Sequence, residues 1–399
     1  MIAGLIYTLI AALSFVMVLS FLVFFHELGH YSVARFFGIS VDRFSIGFGK
    51  PIWRRTSKAG VEWVISRIPL GGYVKFAGDA GAASNPDAEK LAELRAEYEK
   101  DPDGPSIDNV FHFRPVWQRA LVVLAGPVAN FILAIILFAG IGLTIGNQYY
   151  PSNVGSVIEG SPAAAAGFEP GDKIISLDGR DARNFSFVQQ YISLRKNTTI
   201  EAVVERNGQD VPLTVTPRAE DVNDAIGGNA NIGRVGLGLA EGTQPIREEF
   251  GVLGSLNYGV TQTTGVLKAT GTYIGRIFKG KEDGKQLGSV VKIATVVGKV
   301  ASDTAKADVP LGVKIKAWAI RMAALAASIS IALGVANLMP LPVLDGGHLM
   351  YYGYEAVARR PLSQEKQEFG FKIGFAILLT LFVVLTINDI GYLSSIDFS

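Results

Sequence analysis

Cysteine is absent from this chain, and with it go disulfides, thiolate nucleophiles and cysteine-ligated metal sites. Charge is scarce too: Asp, Glu, Lys and Arg make up 18% of the 399 residues, against about 25% in an average soluble domain. The signs nearly cancel at a net charge of +1, so no nucleic-acid partner is expected. Histidine is sparse, with only His26, His30, His112 and His348. A cysteine-free chain fits either side of a bacterial inner membrane, so this absence does not fix the compartment.

What the chain has in excess is uncharged apolar sequence. Runs at 3–25, 120–146 and 322–344 carry no charge, and 373–387 is a shorter run that Gly370 and Phe371 help to lengthen. About 20 apolar residues span a bilayer, so four transmembrane helices are expected. The first run lacks a basic start and a small-residue cleavage site, so it reads as a retained span rather than a signal peptide. Arg35, Arg43, Lys50, Arg54, Arg55, Lys58, Arg67 and Lys75 follow it, opposed up to Lys75 only by Asp42 and Glu62. Positive loops stay in the cytoplasm. Helix one then runs inward, residues 147–317 lie outside, and both termini are external; Arg359, Arg360, Lys366 and Lys372 in the last inner loop agree.

The first span ends in FFHELGHYSVARFFG, residues 24–38. His26 and His30 are four apart, so on a helix they share a face and can reach one zinc ion. Glu27 is rotated by about a quarter turn and can reach a water at the metal without binding the metal, as a general base must. Catalytic zinc commonly takes three protein ligands. His26 lies about 35 Å along the first helix, near the inner face. At that depth the third helix offers ANLMPLPVLDGGH, where Pro340 and Pro342 break the helix before Asp345. Asp345 is the expected third ligand, with His348 as its rival. His112, just before the second span, reads as interfacial.

HELGH, FSIGFGKPIW (44–53), PLGGYVKFAGD (69–79), FHFRPVWQRALVVLAGPVANF (111–131) and NLMPLPVLDGG together resemble the site-2 protease family of intramembrane zinc metalloproteases, most closely its bacterial regulator-of-sigma-E type. The resemblance runs along nearly the whole chain. It implies Zn2+ held by His26, His30 and Asp345, Glu27 as catalytic acid/base, and Asn337 holding substrate or transition state; a helix-packing amide is the other reading of Asn337. It also implies regulated intramembrane proteolysis of single-pass transmembrane proteins, such as anti-sigma factors, and of remnant signal peptides. The chain departs from many relatives in having one PDZ module rather than two, and Ala332 where they carry a second asparagine.

Residues 61–77 read as a β-hairpin turning at PLGG. Val61, Trp63, Ile65, Tyr73 and Val74 would hold an unwound substrate by strand addition, or the hairpin is purely structural and lies over the membrane. SIGFG (45–49) reads as a glycine loop near the site, and 80–110, with Asn85-Pro86, the charged helix EKLAELRAEYEK and PDGPS, as a solvated insertion. Residues 152–240 hold a Ser-Pro helix start, an Asp-Gly turn, an amphipathic helix FSFVQQYISLRK and a hairpin with Asn-Gly at its tip, and resemble a circularly permuted PDZ domain. Such domains bind peptide C-termini; Val235, Gly236 and Leu237 are candidates for its groove loop, with a plain strand as the other and stronger reading.

The expected fold is therefore a polytopic α-helical membrane protein, four transmembrane helices with an inserted extracytoplasmic PDZ (α+β) domain, in a bacterial inner membrane with the PDZ domain and both termini periplasmic. Its segments are helix 1 with HELGH (1–38), a cytoplasmic loop with a membrane-associated hairpin (39–116), helix 2 (117–146), the PDZ domain (152–240), a periplasmic amphipathic region lying on the outer surface (241–317), helix 3 with the ligand segment (318–345), a cytoplasmic loop (346–369), helix 4 (370–390) and a tail (391–399). A non-proteolytic scaffold presenting a PDZ domain would not need Glu27, and a metal transporter would need more intramembrane carboxylates.

Overall fold

The computed structural model describes residues 2–78, 88–100, 106–182, 184–223, 229–282, 284 and 287–393. Asn85-Pro86, most of PDGPS and the last residues of the tail lie outside them. The helices are α1 (Ile2–Phe36), α2 (Ala88–Tyr98), α3 (Val116–Ile145), α4 (Pro162–Ala165), α5 (Phe185–Ser193), α6 (Val252–Phe278), α7 (Val290–Lys306), α8 (Leu311–Asn337), α9 (Asp345–Ala358) and α10 (Gln364–Leu393). The strands are β1 (Val41–Thr56), β2 (Glu62–Phe76), β3 (Asn147–Tyr149), β4 (Val154–Val157), β5 (Lys173–Leu177), β6 (Arg180–Asp181), β7 (Ile200–Arg206), β8 (Gln209–Val215), β9 (Arg218–Asn223), β10 (Asn229–Arg234), β11 (Leu237–Leu239) and β12 (Ile246–Glu248). Among the described residues four helices are long and apolar enough to cross a membrane: Ile6–Phe36, Val116–Ile145, Leu311–Asn337 and Gln364–Ile390. The chain divides into two compact units.

The first unit comprises 1–140, 256–270 and 288–387. One core joins Val18 and Leu22 of α1, Leu133 of α3, Val297 and Ala301 of α7, and Met322 and Ala326 of α8. Here α7 departs from the surface helix expected of it. Val297, Gly298, Ala301 and Thr304 form a buried small-residue face, and Gly298 meets Ala11 of α1. Small residues let helix backbones approach closely, which is how a mixed-composition helix enters an apolar bundle. A second core joins Ala34, Phe44, Val61, Phe76, Phe111, Val122 and Tyr352. His112 is buried beside it, edge-on to Phe111 at 5.5 Å.

β1 and β2 are long and bent, and their pairing differs from a hairpin turning at PLGG. Residues 43–46 of β1 face 72–75 of β2 on one side and 62–65 on the other. Residues 53–56 then cover the far side of 62–65. The segments either side of PLGG are thus separated by 43–46 instead of pairing with each other. The two glycines that read as a loop, Gly47 and Gly49, carry φ of 85° and 87° inside β1. At Gly47 a Cβ would meet the Ile68 carbonyl oxygen at 2.6 Å, so the bend requires glycine.

α8 begins earlier than the expected span and ends where the prolines were expected to break it. It starts at Leu311 and stops at Asn337. Pro340 and Pro342 lack the N–H a continuing helix needs, and Asp345 opens α9. The stretch 346–369, expected as the loop joining the third and fourth spans, is largely helical: α9 runs to Ala358 and α10 begins at Gln364. Gly346 and Gly347 serve packing: a Cβ on them would strike the backbone of Leu338 and Leu341, at 2.6 Å from each carbonyl carbon.

The second unit comprises 141–255, 271–287 and 388–399. Its four-stranded sheet runs β6-β5-β7-β8. Asn207 and Gly208 turn β7 into β8 with φ of 53° and 79°, as a tight hairpin demands. The Ser161 hydroxyl accepts the Ala164 N–H to cap α4. α5 buries Val188, Tyr191 and Ile192 in a core with Val154, Leu177, Ile200 and Val235. Asp172 is buried below the sheet; the Arg206 guanidinium grips both its oxygens at 2.7 and 2.8 Å, and the Glu169 N–H donates at 2.9 Å. Burial pushes the Asp172 carboxyl upward, but these donors more than reverse it, and its pKa falls below the ordinary value. A carboxylate depressed in the folded state stabilises above its unfolded pKa and loses that contribution as pH falls through the folded value. Hydrogen-exchange protection of β7 and β8 amides in the full-length chain, taken relative to the intrinsic rate at each pH, should therefore stay flat down to about pH 4 and fall below it. Asp172→Asn should remove most of that acid-side dependence, and an unchanged profile would contradict this reading.

Candidate metal centre and active site

α1 carries His26 and His30 one turn apart on its inner face. His30 Nδ1 lies 2.9 Å from the Val122 carbonyl oxygen of α3. A carbonyl only accepts, so Nδ1 holds the proton and Nε2 keeps its lone pair. His26 Nε2 is 3.2 Å from His30 Nε2. Asp345 Oδ2, from the start of α9, is 3.3 Å from His26 Nε2 and 3.6 Å from His30 Nε2. The three donor atoms lie within 4.8 Å of one another, the one such metal-capable group of His, Cys, Asp or Glu among the described residues, and His348 is not part of it.

Three close approaches bring these residues together. At Gly29, between the two histidines, a Cβ would meet Ala129 Cβ at 2.7 Å and the Ala125 backbone, so α1 lies directly on α3. A Cβ on Gly126 would strike both imidazoles, 2.8 Å from His26 Cε1. Gly346 and Gly347 fold α9 back on the turn after Asn337. Asn337 Nδ2 reaches within 3.3 Å of His26 Nε2.

The donor set fits zinc: two imidazole nitrogens and one carboxylate leave a fourth position open, the composition of a catalytic site. Asp345 Oδ2 is buried and makes no well-directed hydrogen bond although two imidazoles face it. An oxygen so placed is met by a cation or by an imidazole N–H, and a single divalent cation would meet all three donor atoms at once.

Glu27 is buried on the neighbouring face of α1 and accepts a hydrogen bond from the Val74 N–H. Gly72 of β2 passes so close that a Cβ would sit 3.0 Å from Glu27 Cγ. Residues 72–76 pair only with 41–46, so their other edge is unpaired among the described residues and runs past Glu27. Tyr73 and Val74 are on that edge. Val61, Trp63 and Ile65 are not: 62–65 is paired on both sides, Val61 is fully buried, and Trp63 stacks on Phe44 at 4.5 Å. Their backbone has no edge to offer, which removes the strand-addition role read for them.

In the second unit Val235, Gly236 and Leu237 line one wall of a cavity of about 690 Å³, with Val188 and Ile192 of α5 opposite and Arg234 beside them. Gly236 has φ of 85° and a Cβ there would lie 2.6 Å from Ser161 Oγ.

Two residues around the metal centre were not singled out from the sequence. Asn130 of α3 is fully buried, with Nδ2 3.1 Å from His26 Nδ1. Gly126 is the second. The available signal was a lone amide in an otherwise apolar span, four residues after a glycine.

The description of Peptidase family M50 matches residues 14–381. The chain is 43% identical over 387 residues to metalloprotease MmpA of Caulobacter vibrioides, covering 96% of each. It is 38% identical to Atu1380 of Agrobacterium fabrum over 95% of each chain, and 38% identical to BR1156/BS1330_I1152 of Brucella suis over 94% of each; both names carry the words zinc metalloprotease. A match over most of its length, on a helical chain built to sit in a membrane, places this protein in peptidase family M50, the zinc-dependent metalloproteases.

Proposed function

We propose that the chain is an intramembrane zinc endopeptidase of the site-2 type, with His26, His30 and Asp345 as the metal ligands and Glu27 as the catalytic acid/base. One observation carries this reading: the three ligand atoms, a buried glutamate and an unpaired strand edge meet in one place. When bound, zinc polarises the scissile carbonyl and makes a nearby water acidic enough to attack near neutral pH. Glu27 takes the proton as the water oxygen bonds the carbonyl carbon, and returns it to the amide nitrogen as the C–N bond breaks. The Asn337 amide donates to the substrate oxygen on which charge develops.

A transmembrane helix hides its carbonyls in its own hydrogen bonds, so it must be extended before attack. The free edge at Tyr73 and Val74 holds the extended segment by strand addition, and puts its peptide bond beside Glu27. The enzyme lies in a bacterial inner membrane with residues 152–240 and both termini on the periplasmic side. Residues 152–240 form a PDZ domain, and the cavity beside Val235, Gly236 and Leu237 takes peptide C-termini. It screens substrates by size, so that single-pass proteins already trimmed by another protease, anti-sigma factors and remnant signal peptides among them, reach the site in regulated intramembrane proteolysis.

Glu27→Gln should cut cleavage of a reconstituted single-pass substrate by about 10²–10⁴-fold while zinc stays near one per chain. Asp345→Asn should lose the zinc itself, read by metal analysis of purified protein. Cleavage surviving Glu27→Gln would remove Glu27 from the acid/base role, whereas a cellular phenotype untouched by Glu27→Gln would point to a scaffold instead. Gly126→Ala should also strip zinc, because its methyl takes the space of the imidazoles; full zinc content would contradict the packing described. Deleting residues 152–240 should permit cleavage of untrimmed substrate, and unchanged selectivity would reject the size screen.

A further inference from the structure

Asn130 is a fully buried amide in a span otherwise nearly free of polar side chains. Its side chain touches His26 Nδ1 at 3.1 Å, and its Oδ1 is buried without a hydrogen-bond partner. Its backbone carbonyl separately accepts the Ser330 hydroxyl of α8 at 2.8 Å, so the tie between α3 and α8 does not need the side chain.

The surroundings of α3 form a stripe at four-residue spacing. The Val122 carbonyl takes the Nδ1 proton of His30, Gly126 leaves room for both rings, and Asn130 meets Nδ1 of His26. Running antiparallel, the stripe matches the four-residue spacing of the two histidines on α1. For His30 the partner is an acceptor and its tautomer is settled. For His26 the partner is an amide, whose oxygen and nitrogen have the same shape and fit the pocket either way round. Either orientation leaves one amide atom unpartnered, so hydrogen-bond counting does not decide it. Ligand chemistry does. A nitrogen donated by the amide to Nδ1 would force the proton onto Nε2, the atom that faces Asp345 at 3.3 Å, and would abolish its lone pair.

Resting on the metal-site reading above, we propose that Asn130 is a positioning residue: its Oδ1 accepts the Nδ1 proton of His26 and holds the imidazole in the tautomer that offers Nε2 to zinc. Outer partners of this kind are worth 10–100-fold in metal affinity. An amide suits the position better than a carboxylate, because it orients the ring without placing another charge in the membrane.

The test uses the full-length chain in detergent. Zinc affinity is read by chelator competition, and the His26 ring is followed by nitrogen NMR in zinc-free protein. In the wild type the His26 proton should sit on Nδ1. Asn130→Leu should weaken zinc about 10–100-fold and shift part of that proton to Nε2, with melting of the zinc-free chain unchanged. Asn130→Asp, which keeps an acceptor, should recover most of the affinity. A wild-type proton on Nε2, or equal zinc loss in Asn130→Leu and Asn130→Asp, would overturn the assignment. Zinc lost from Asp345→Asn but retained at full affinity by Asn130→Leu defeats only the role of Asn130, whereas zinc retained by Asp345→Asn defeats the metal-site reading beneath it.

Discussion

Two imidazole nitrogens and a carboxylate oxygen face one another across 3.2 to 3.6 Å in the interior of a helical bundle. The Val122 carbonyl commits His30 to presenting a lone pair to that space. Electron pairs directed at each other with little water between them repel, and a buried polar atom without a partner costs about 1–3 kcal/mol. A divalent cation converts the same geometry from a penalty into a bonding site. The surrounding structure can be understood as what is needed to bring these atoms to one point.

The means are mostly glycines. Gly29 and Gly126 let α1 and α3 meet backbone to backbone, and Gly346 and Gly347 fold the start of α9 onto the turn after Asn337. Without a hydrophobic drive between helices in lipid, such close approach is the main source of specific packing. The cost in helix propensity, on the order of 1 kcal/mol per glycine, is offset by contacts that a Cβ would forbid. This explains why a metal centre assembled from α1 and α9, more than 300 positions apart in sequence, can be held rigidly enough for chemistry.

The same packing places a strand edge beside Glu27. Residues 72–76 are held on one side by 41–46 and left open on the other, and Val74 already donates its N–H to Glu27. A backbone donor so placed shows that extended chain can approach the glutamate within hydrogen-bonding distance. A peptide bond must be presented in extended form for a metalloprotease to attack it, and this edge lies beside Glu27.

Much of this was legible in the sequence. Four apolar runs are local features, and so are the HELGH spacing and the Asn-Gly and Asp-Gly turns: each depends on neighbours within a few residues, where periodicity and backbone preference decide the outcome. Asp345 was legible too, because two prolines interrupt a span just before its single carboxylate. The tertiary structure alone decided how 41–76 pairs, since glycine at 47 and 49 reads locally as a loop while contacts with Ile68 make it a bent strand. It alone put α7 inside the bundle, made a helix of 345–358, closed Val61, Trp63 and Ile65 off from any free edge, and set Asn130 against His26. Those outcomes depend on which backbone meets which at a few ångströms, and the small residues that permit such meetings leave in the sequence only the absence of a side chain.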